Sequence, residues 1–318
     1  MRLARYGNWL LWALLMAAVI GVLGWGGRPQ MVGLFIASGL AVGSLYALAG
    51  IGIVVLYRAT GVLNFAGGAA GAAGAMTAWQ LTAWGFWEPL GWLACLLVAT
   101  AITLFYGRLI APRLAWRETV VKAVATLGFA LIILGAISFL WADDPRSISL
   151  PTDAIGVRLL GMRITATRLL LFAASIGIVI GIWLFLARTT IGLQMRALAS
   201  DRDLAALMGI PILRVETIAW GIAGLLAGFT GLMFADLIRL EPSVITFMVI
   251  PGIAAAICGR LENLVVVLIG GLSMGVIENM LTMSTTLRGV RPIAPFVIAA
   301  LVLLYYQRGQ RLTFGGRD

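Results

Sequence analysis

GLAVGSLYALAGIGIVVLYRATGVLNFAGGAAGAAGAM, residues Gly39–Met76, can be laid over GIAGLLAGFTGLMFADLIRLEPSVITFMVIPGIAAAIC, residues Gly221–Cys258, at a constant offset of 182. Each copy reads as a glycine-rich apolar helix, a short polar turn, and a shorter helix ending in a run of small residues. Counting spans outward puts the start of the first copy on one side of a membrane and the start of the second on the other. The pair is therefore an inverted repeat, and interrupted segments in corresponding positions of two halves point to a transport pathway. Two glycine-rich helices followed by weak ones also match by composition alone, so the repeat is an expectation to be set against the fold.

The rest of the chain fits this reading. It has 318 residues, of which 61% are apolar, 11% are charged and 39 are glycine. A soluble domain is about 25% charged, so a soluble enzyme is excluded and the fold class is an all-α, polytopic transmembrane bundle. Small residues let its helix backbones approach closely. Histidine is absent, which removes imidazole zinc sites and Ser-His or Cys-His nucleophile pairs. Cys95 and Cys258 each sit alone in an apolar stretch, and no metal site is expected. The formal charge of +10 is dispersed between apolar blocks, a pattern of loops flanking a membrane and not of nucleic-acid binding.

Runs near ~20 apolar residues are candidate spans. Ten are found: Trp9–Trp25, Met31–Leu56, Val62–Leu81, Leu90–Ile110, Val120–Trp141, Leu169–Ala187, Thr217–Leu237, Thr246–Cys258, Leu264–Thr285 and Ile293–Tyr306. Val62–Leu81 is weakly hydrophobic, and Thr246–Cys258 is short and carries Pro251. With ten crossings the loops of one side hold 15 Lys and Arg and those of the other hold 8. The positive-inside bias then places both termini in the cytoplasm. The N-terminal segment is taken as a retained helix and not a cleaved signal, because its apolar stretch is long and no A-x-A site follows. The whole chain, 1–318, reads as one membrane domain. The outer loop, residues 142–168, is expected to form an amphipathic lid or a hairpin.

The long inner loop is the richest in local signals. In SDRDLAALMGIP, Ser200–Pro211, Ser200 or Asp201 is an N-cap, Asp203 suits the positive end of a helix dipole, Gly209 is a C′ residue and Pro211 forbids continuation. Leu204, Leu207 and Met208 form one apolar stripe. A helix of two turns needs a surface to lie on. That surface is either the bilayer and the underside of the bundle, or the groove of a soluble partner.

Two further places hold polar groups in apolar surroundings. Asn64 and Phe65 open the small-residue run that contains Gly67 and Gly68; an amide there either lines a polar path or caps a helix. Glu278 sits in an apolar span, where a carboxylate must be paired or wetted. It is either a functional acid facing the bundle interior or half of an ion pair with Arg288 or Arg291.

Taken together, AVGSLYALAGIGIVVLYRATGVLNFA (Ala41–Ala66) and TTIGLQMRALASDRDLAALMGI (Thr189–Ile210) resemble the branched-chain amino acid ABC transporter permeases, in particular the H-type subunit. The likeness runs from about Gly33 through Gly252–Gly271 to Leu301–Gly315. It implies a membrane subunit of an ATP-driven importer in the bacterial cytoplasmic (inner) membrane. Such a subunit pairs with a second homologous permease, two cytoplasmic ATPases and a periplasmic substrate-binding protein. It implies no enzyme activity here, with ATP and Mg held by the partner subunits; no Walker loop is present and Lys122 is the only lysine. By the same resemblance residues 189–215 are the ATPase-coupling loop, with Arg196, Asp201, Asp203, Leu204, Ala205, Leu207, Met208 and Gly209 as its contact residues. Asn64, Phe65, Gly67, Gly68 and Glu278 are the candidates for the translocation path. Relatives commonly carry a histidine and an acid directly after N-F-A, where this chain has Gly67, Gly68 and Ala69. The implied solutes are branched-chain amino acids or small polar relatives such as urea and short amides. The competing reading is a free-standing channel or secondary transporter.

Overall fold

The computed structural model describes residues 29–307 except 143, 160, 161, 285 and 286, together with Gly21. Apart from that glycine, the expected span Trp9–Trp25 lies outside the described residues, as do both termini and their arginines.

The architecture is helical. Twelve α-helices are used below: α1 Pro29–Thr60, α2 Gly67–Ala83, α3 Glu88–Phe105, α4 Thr119–Trp141, α5 Ala166–Arg188, α6 Thr190–Ser200, α7 Arg202–Leu207, α8 Ile212–Leu237, α9 Pro242–Phe247, α10 Val249–Cys258, α11 Leu264–Leu281 and α12 Ala294–Gln307. Six stretches are long and apolar enough to cross a bilayer: Gln30–Thr60, Glu88–Leu114, Thr119–Trp141, Ala166–Arg188, Ile212–Leu237 and Leu264–Leu281. Pro242–Cys258 and Ala294–Leu304 are apolar but shorter. The second stretch continues α3 through a π-turn at Tyr106–Ile110 and a 3-10 turn at Ala111–Leu114.

α1 is the buried centre and packs against α5, α8, α10 and α11. α2 packs against α3, α4, α8 and α9. In lipid, apolar side chains gain nothing by leaving the solvent, so association rests on close contact and hydrogen bonds. Glycines supply that contact at two crossings. A Cβ on Gly50 of α1 would stand 2.8 Å from the Gly252 carbonyl of α10, and a Cβ on Gly71 of α2 would meet Gly231 of α8 at 3.2 Å. The offset of 182 carries the first glycine pair to within one residue of the second. By contrast, α3, α4 and α5 keep apolar faces outward, with Leu97, Leu131, Ile180 and Trp183 exposed, as lipid-facing helices do.

The two ends of the bundle differ. At one, the loop 142–165 carries a 3-10 turn (Pro151–Ala154) and an antiparallel hairpin of β1 Gly156–Leu159 and β2 Met162–Thr165. This is the hairpin alternative of the sequence reading. Leu150 N donates to Asp236 Oδ1 (2.9 Å), Arg146 and Leu240 exchange backbone bonds, and Arg168 reaches Ser38 Oγ (2.7 Å). α1 therefore starts at the hairpin end, while α8 finishes there. The opposite end carries α6 and α7.

Several boundaries differ from the sequence reading, for identifiable reasons. The helix expected at Val62–Leu81 begins only at Gly67 and runs on to Ala83. Gly61 ends α1 in a left-handed conformation (φ 67°), and the Thr60 hydroxyl takes the Val62 N–H (3.1 Å). Asn64 Oδ1 then takes the Ala66 N–H (2.9 Å), and Thr126 Oγ1 of α4 takes the Phe65 N–H (3.1 Å). Side-chain partners thus hold residues 61–66 out of the helix. The stretch Thr246–Cys258 is divided by a kink at Met248 into α9 and α10. The one helix expected within Ser200–Pro211 is present as α7, and the inner loop holds a further helix, α6, before it.

Candidate functional site

The two breaks in the helices face one another across a cavity. It is small, about 40 Å³, and lies inside the bundle. Ala49, Gly52 and Ile53 of α1 form one wall; Ala223, Leu226, Ala227, Thr230, Gly231 and Phe234 of α8 form another. Asn64, Gly67 and Gly68 close it from the first break, and Ile245, Met248 and Val249 close it from the second. α2 starts here, because its fifth residue, Gly71, already touches Ala227 and Gly231 in the middle of α8. Its N-terminus is therefore an interior one, capped by no side chain. The first N–H groups of such a half-helix carry a partial positive charge toward whatever fills the space.

Of the candidates for the path, Asn64, Gly67 and Gly68 line this cavity. Phe65 does not, although its N–H anchors the same segment to α4. Glu278 also lies off the cavity. Its carboxylate is buried, accepts from Tyr46 Oη at 2.6 Å and pairs with Arg291 Nε at 2.9 Å. Its connection to the wall is indirect: the Tyr46 ring lies against Phe234 with centroids 6.1 Å apart.

The loop candidates converge at the other end. α7 is bounded as its sequence dictates, with Asp201 as the N-cap in place of Ser200. Asp201 Oδ1 accepts from Leu204 N at 2.9 Å. Gly209 adopts φ 78°; its N–H donates to Ala206 O (3.0 Å), and Ile210 N–H donates to Ala205 O (3.1 Å). These two bonds form a Schellman motif, which needs a left-handed C′ residue. Ala205 is buried, while Leu204, Leu207 and Met208 are 55%, 86% and 76% exposed. The apolar stripe therefore points away from the bundle. Asp203 is exposed in the first turn of α7, and Arg196 is exposed on α6.

Sequence reading missed one tie in this region. Arg202 Nη1 of α7 meets Glu216 Oε1 of α8 at 2.6 Å, with the glutamate side chain only 8% exposed. Its signal was an acid within the second turn of an apolar helix that directly follows a capped one. Also missed was the α8 wall, Ala223–Phe234. The repeat offset carries Asn64–Gly68 onto Thr246–Ile250, so the second break was findable, whereas α8 as a wall needed the packing.

A helical membrane bundle with an interior cavity at two broken helices, and a capped apolar helix presented at one end, is the architecture of a solute permease. The family model described as "Branched-chain amino acid transport system / permease component" matches residues 35–306, and the chain belongs to that family. A probable branched-chain amino acid transport permease protein LivH of Methanocaldococcus jannaschii is 29% identical over 245 residues, covering 75% of this chain and 78% of the relative. The high-affinity branched-chain amino acid transport system permease protein LivH of Escherichia coli K12 is 25% identical over 285 residues, covering 84% and 92%. BraD, the corresponding permease protein of Pseudomonas aeruginosa, is 26% identical over 260 residues, covering 76% and 84%. No solved structure matches. These relatives are transport permeases and not enzymes, and the chain is a transport permease with membrane-spanning helices.

Proposed function

We propose that the chain is the membrane-spanning subunit of an ATP-driven importer. It gates a path for branched-chain amino acids or a related small polar solute, including short amides, handed over by a periplasmic binding protein. Its partners in this reading are a second homologous permease and two cytoplasmic ATPases, which hold ATP and Mg. The carrying observation is α7: a capped helix with three large apolar side chains facing outward, joined by Arg202–Glu216 to the helix that walls the cavity. A free helix of this length is unstable, so a stripe this exposed calls for a groove. Residues 189–215 are then the coupling loop, in the cytoplasm with both termini, and residues 142–168 the periplasmic loop of a protein in the inner membrane.

An inverted repeat with ten crossings accompanies this reading. α1 and α8 start at opposite ends of the bundle. α2 and α10 both begin at the cavity, with first residues Gly67 and Val249 separated by the repeat offset. The related glycine crossings support the same symmetry.

The test is capture of the ATPase. Affinity-tagged chain co-expressed with the ATPase subunits of its transporter retains them in detergent, and Leu207→Asp lowers the retained ATPase by about tenfold, since a charge in an apolar groove costs more than 1.4 kcal/mol. Retention unaffected by Leu207→Asp and by Leu204→Asp contradicts docking through α7. A chain that carries solute across a vesicle membrane without any ATPase is a free-standing channel or secondary transporter.

A further inference from the structure

The chemistry of the cavity points to one class of solute. Only two of its lining side chains are polar, Asn64 and Thr230, and none is charged. The Thr230 hydroxyl is committed to the carbonyls of its own helix, donating to Leu226 O at 2.8 Å. Asn64 is 4% exposed, and its amide is oriented by one bond: the Ala66 N–H requires the oxygen at Oδ1. Nδ2 is thereby turned the other way, 3.8 Å from where a Cβ on Gly67 would lie, and it has no partner among the described residues. The N–H groups of Gly67 and Gly68 begin α2 and also lack an acceptor among the described residues. Beside Gly68 lie the Ile245 and Thr246 carbonyls of α9, which carry no formal charge. The remaining surface is aliphatic apart from Phe234 and Met248.

An unpartnered amide donor on a buried asparagine, beside an uncapped half-helix N-terminus, favours an oxygen acceptor and a negative charge. An ammonium group finds no carboxylate in this cavity and loses its hydration on entry. We propose that the cavity binds a short aliphatic solute by an acceptor head, a carboxylate or carboxamide oxygen, held by Asn64 Nδ2 and the first N–H groups of α2. Recognition of an ammonium plays no part. The pole exists because Gly67 leaves room beside Asn64 that a larger side chain would fill, while Gly68 lets α2 lie against the α9 backbone at Thr246. This inference rests on the cavity belonging to the path proposed above.

The test is binding of tritiated 3-methylbutanoate to the complete transporter, purified in nanodiscs without the binding protein, with three competitors of one carbon skeleton. Saturable binding is expected, and 3-methylbutanamide displaces the acid within about tenfold, reading the share of the negative charge against the shared carbonyl oxygen. Valine competes no better than the plain acid, and 3-methylbutylamine is weaker by about 100-fold or more. Asn64→Leu weakens binding of the acid by about tenfold, the worth of one lost hydrogen bond. The wild-type competition stands without any variant, should Asn64→Leu not fold. Absence of saturable acid binding, displacement by the amine as effective as by the amide, or a folded Asn64→Leu protein with unchanged binding each overturns the proposal. A complex that captures its ATPase yet binds no acid loses this site and keeps the importer reading. One that binds the acid and captures no ATPase does the reverse.

Discussion

The two breaks that face each other across the cavity are built differently. In the first, residues 61–66 form a non-helical turn between α1 and α2, and side chains of Thr60, Asn64 and Thr126 take up backbone N–H groups there. In the second, the corresponding stretch is itself helical: α9, kinked at Met248 into α10, with Pro251 supplying no N–H near the start of the second piece. The first break therefore leaves donors open to the cavity, and the second presents mostly apolar side chains. The two breaks thus give the cavity one polar pole and one apolar wall, through the side chains at the turn.

Where the halves are alike, they should fail alike. Gly231→Leu drives a side chain into the backbone of α2 at Gly71, and Gly50→Leu does the same to α10 at Gly252. Each is expected to cost about 3 kcal/mol, the upper range for overpacking, because the opposing atoms are backbone. Thermal unfolding of the purified chain reads both. A large drop for one and none for the other breaks the symmetry of the two crossings.

Where they differ, paired substitutions should diverge. Asn64→Leu removes the partner of a buried N–H and is expected to cost about 1–3 kcal/mol. Thr246→Val, at the position related by the repeat offset, removes a buried hydroxyl that has no partner among the described residues, so the same melting experiment should show about zero change or a small gain. Equal losses at the two positions place a partner on Thr246 and undo the contrast.

Much of this was legible in the residues. The long apolar helices and the caps of α7 at Asp201 and Gly209 follow from local chemistry. The start of α2 was misplaced by five residues because Val62 and Leu63 are apolar, and periodicity does not register that Asn64 and Thr126 have claimed the neighbouring N–H groups. Thr126 lies 61 residues from Phe65, so no local window contains that bond. Glu278 was visible as an anomaly, but both of its readings were open until Tyr46, 232 positions away, and Arg291 were found on its two oxygens. The Arg202–Glu216 tie was hidden because each residue alone looks like an ordinary charge at a helix end.

The central claim is that α7 carries force from an ATPase to the helix lining the cavity, and the ratio of solute taken up to ATP hydrolysed tests it most directly. In proteoliposomes holding the complete transporter and its binding protein, Gly209→Pro and Leu204→Asp should each lower that ratio by about tenfold or more, by removing the Schellman stop or the exposed stripe. Both proteins should still insert in the membrane. A ratio unchanged in both variants contradicts the account.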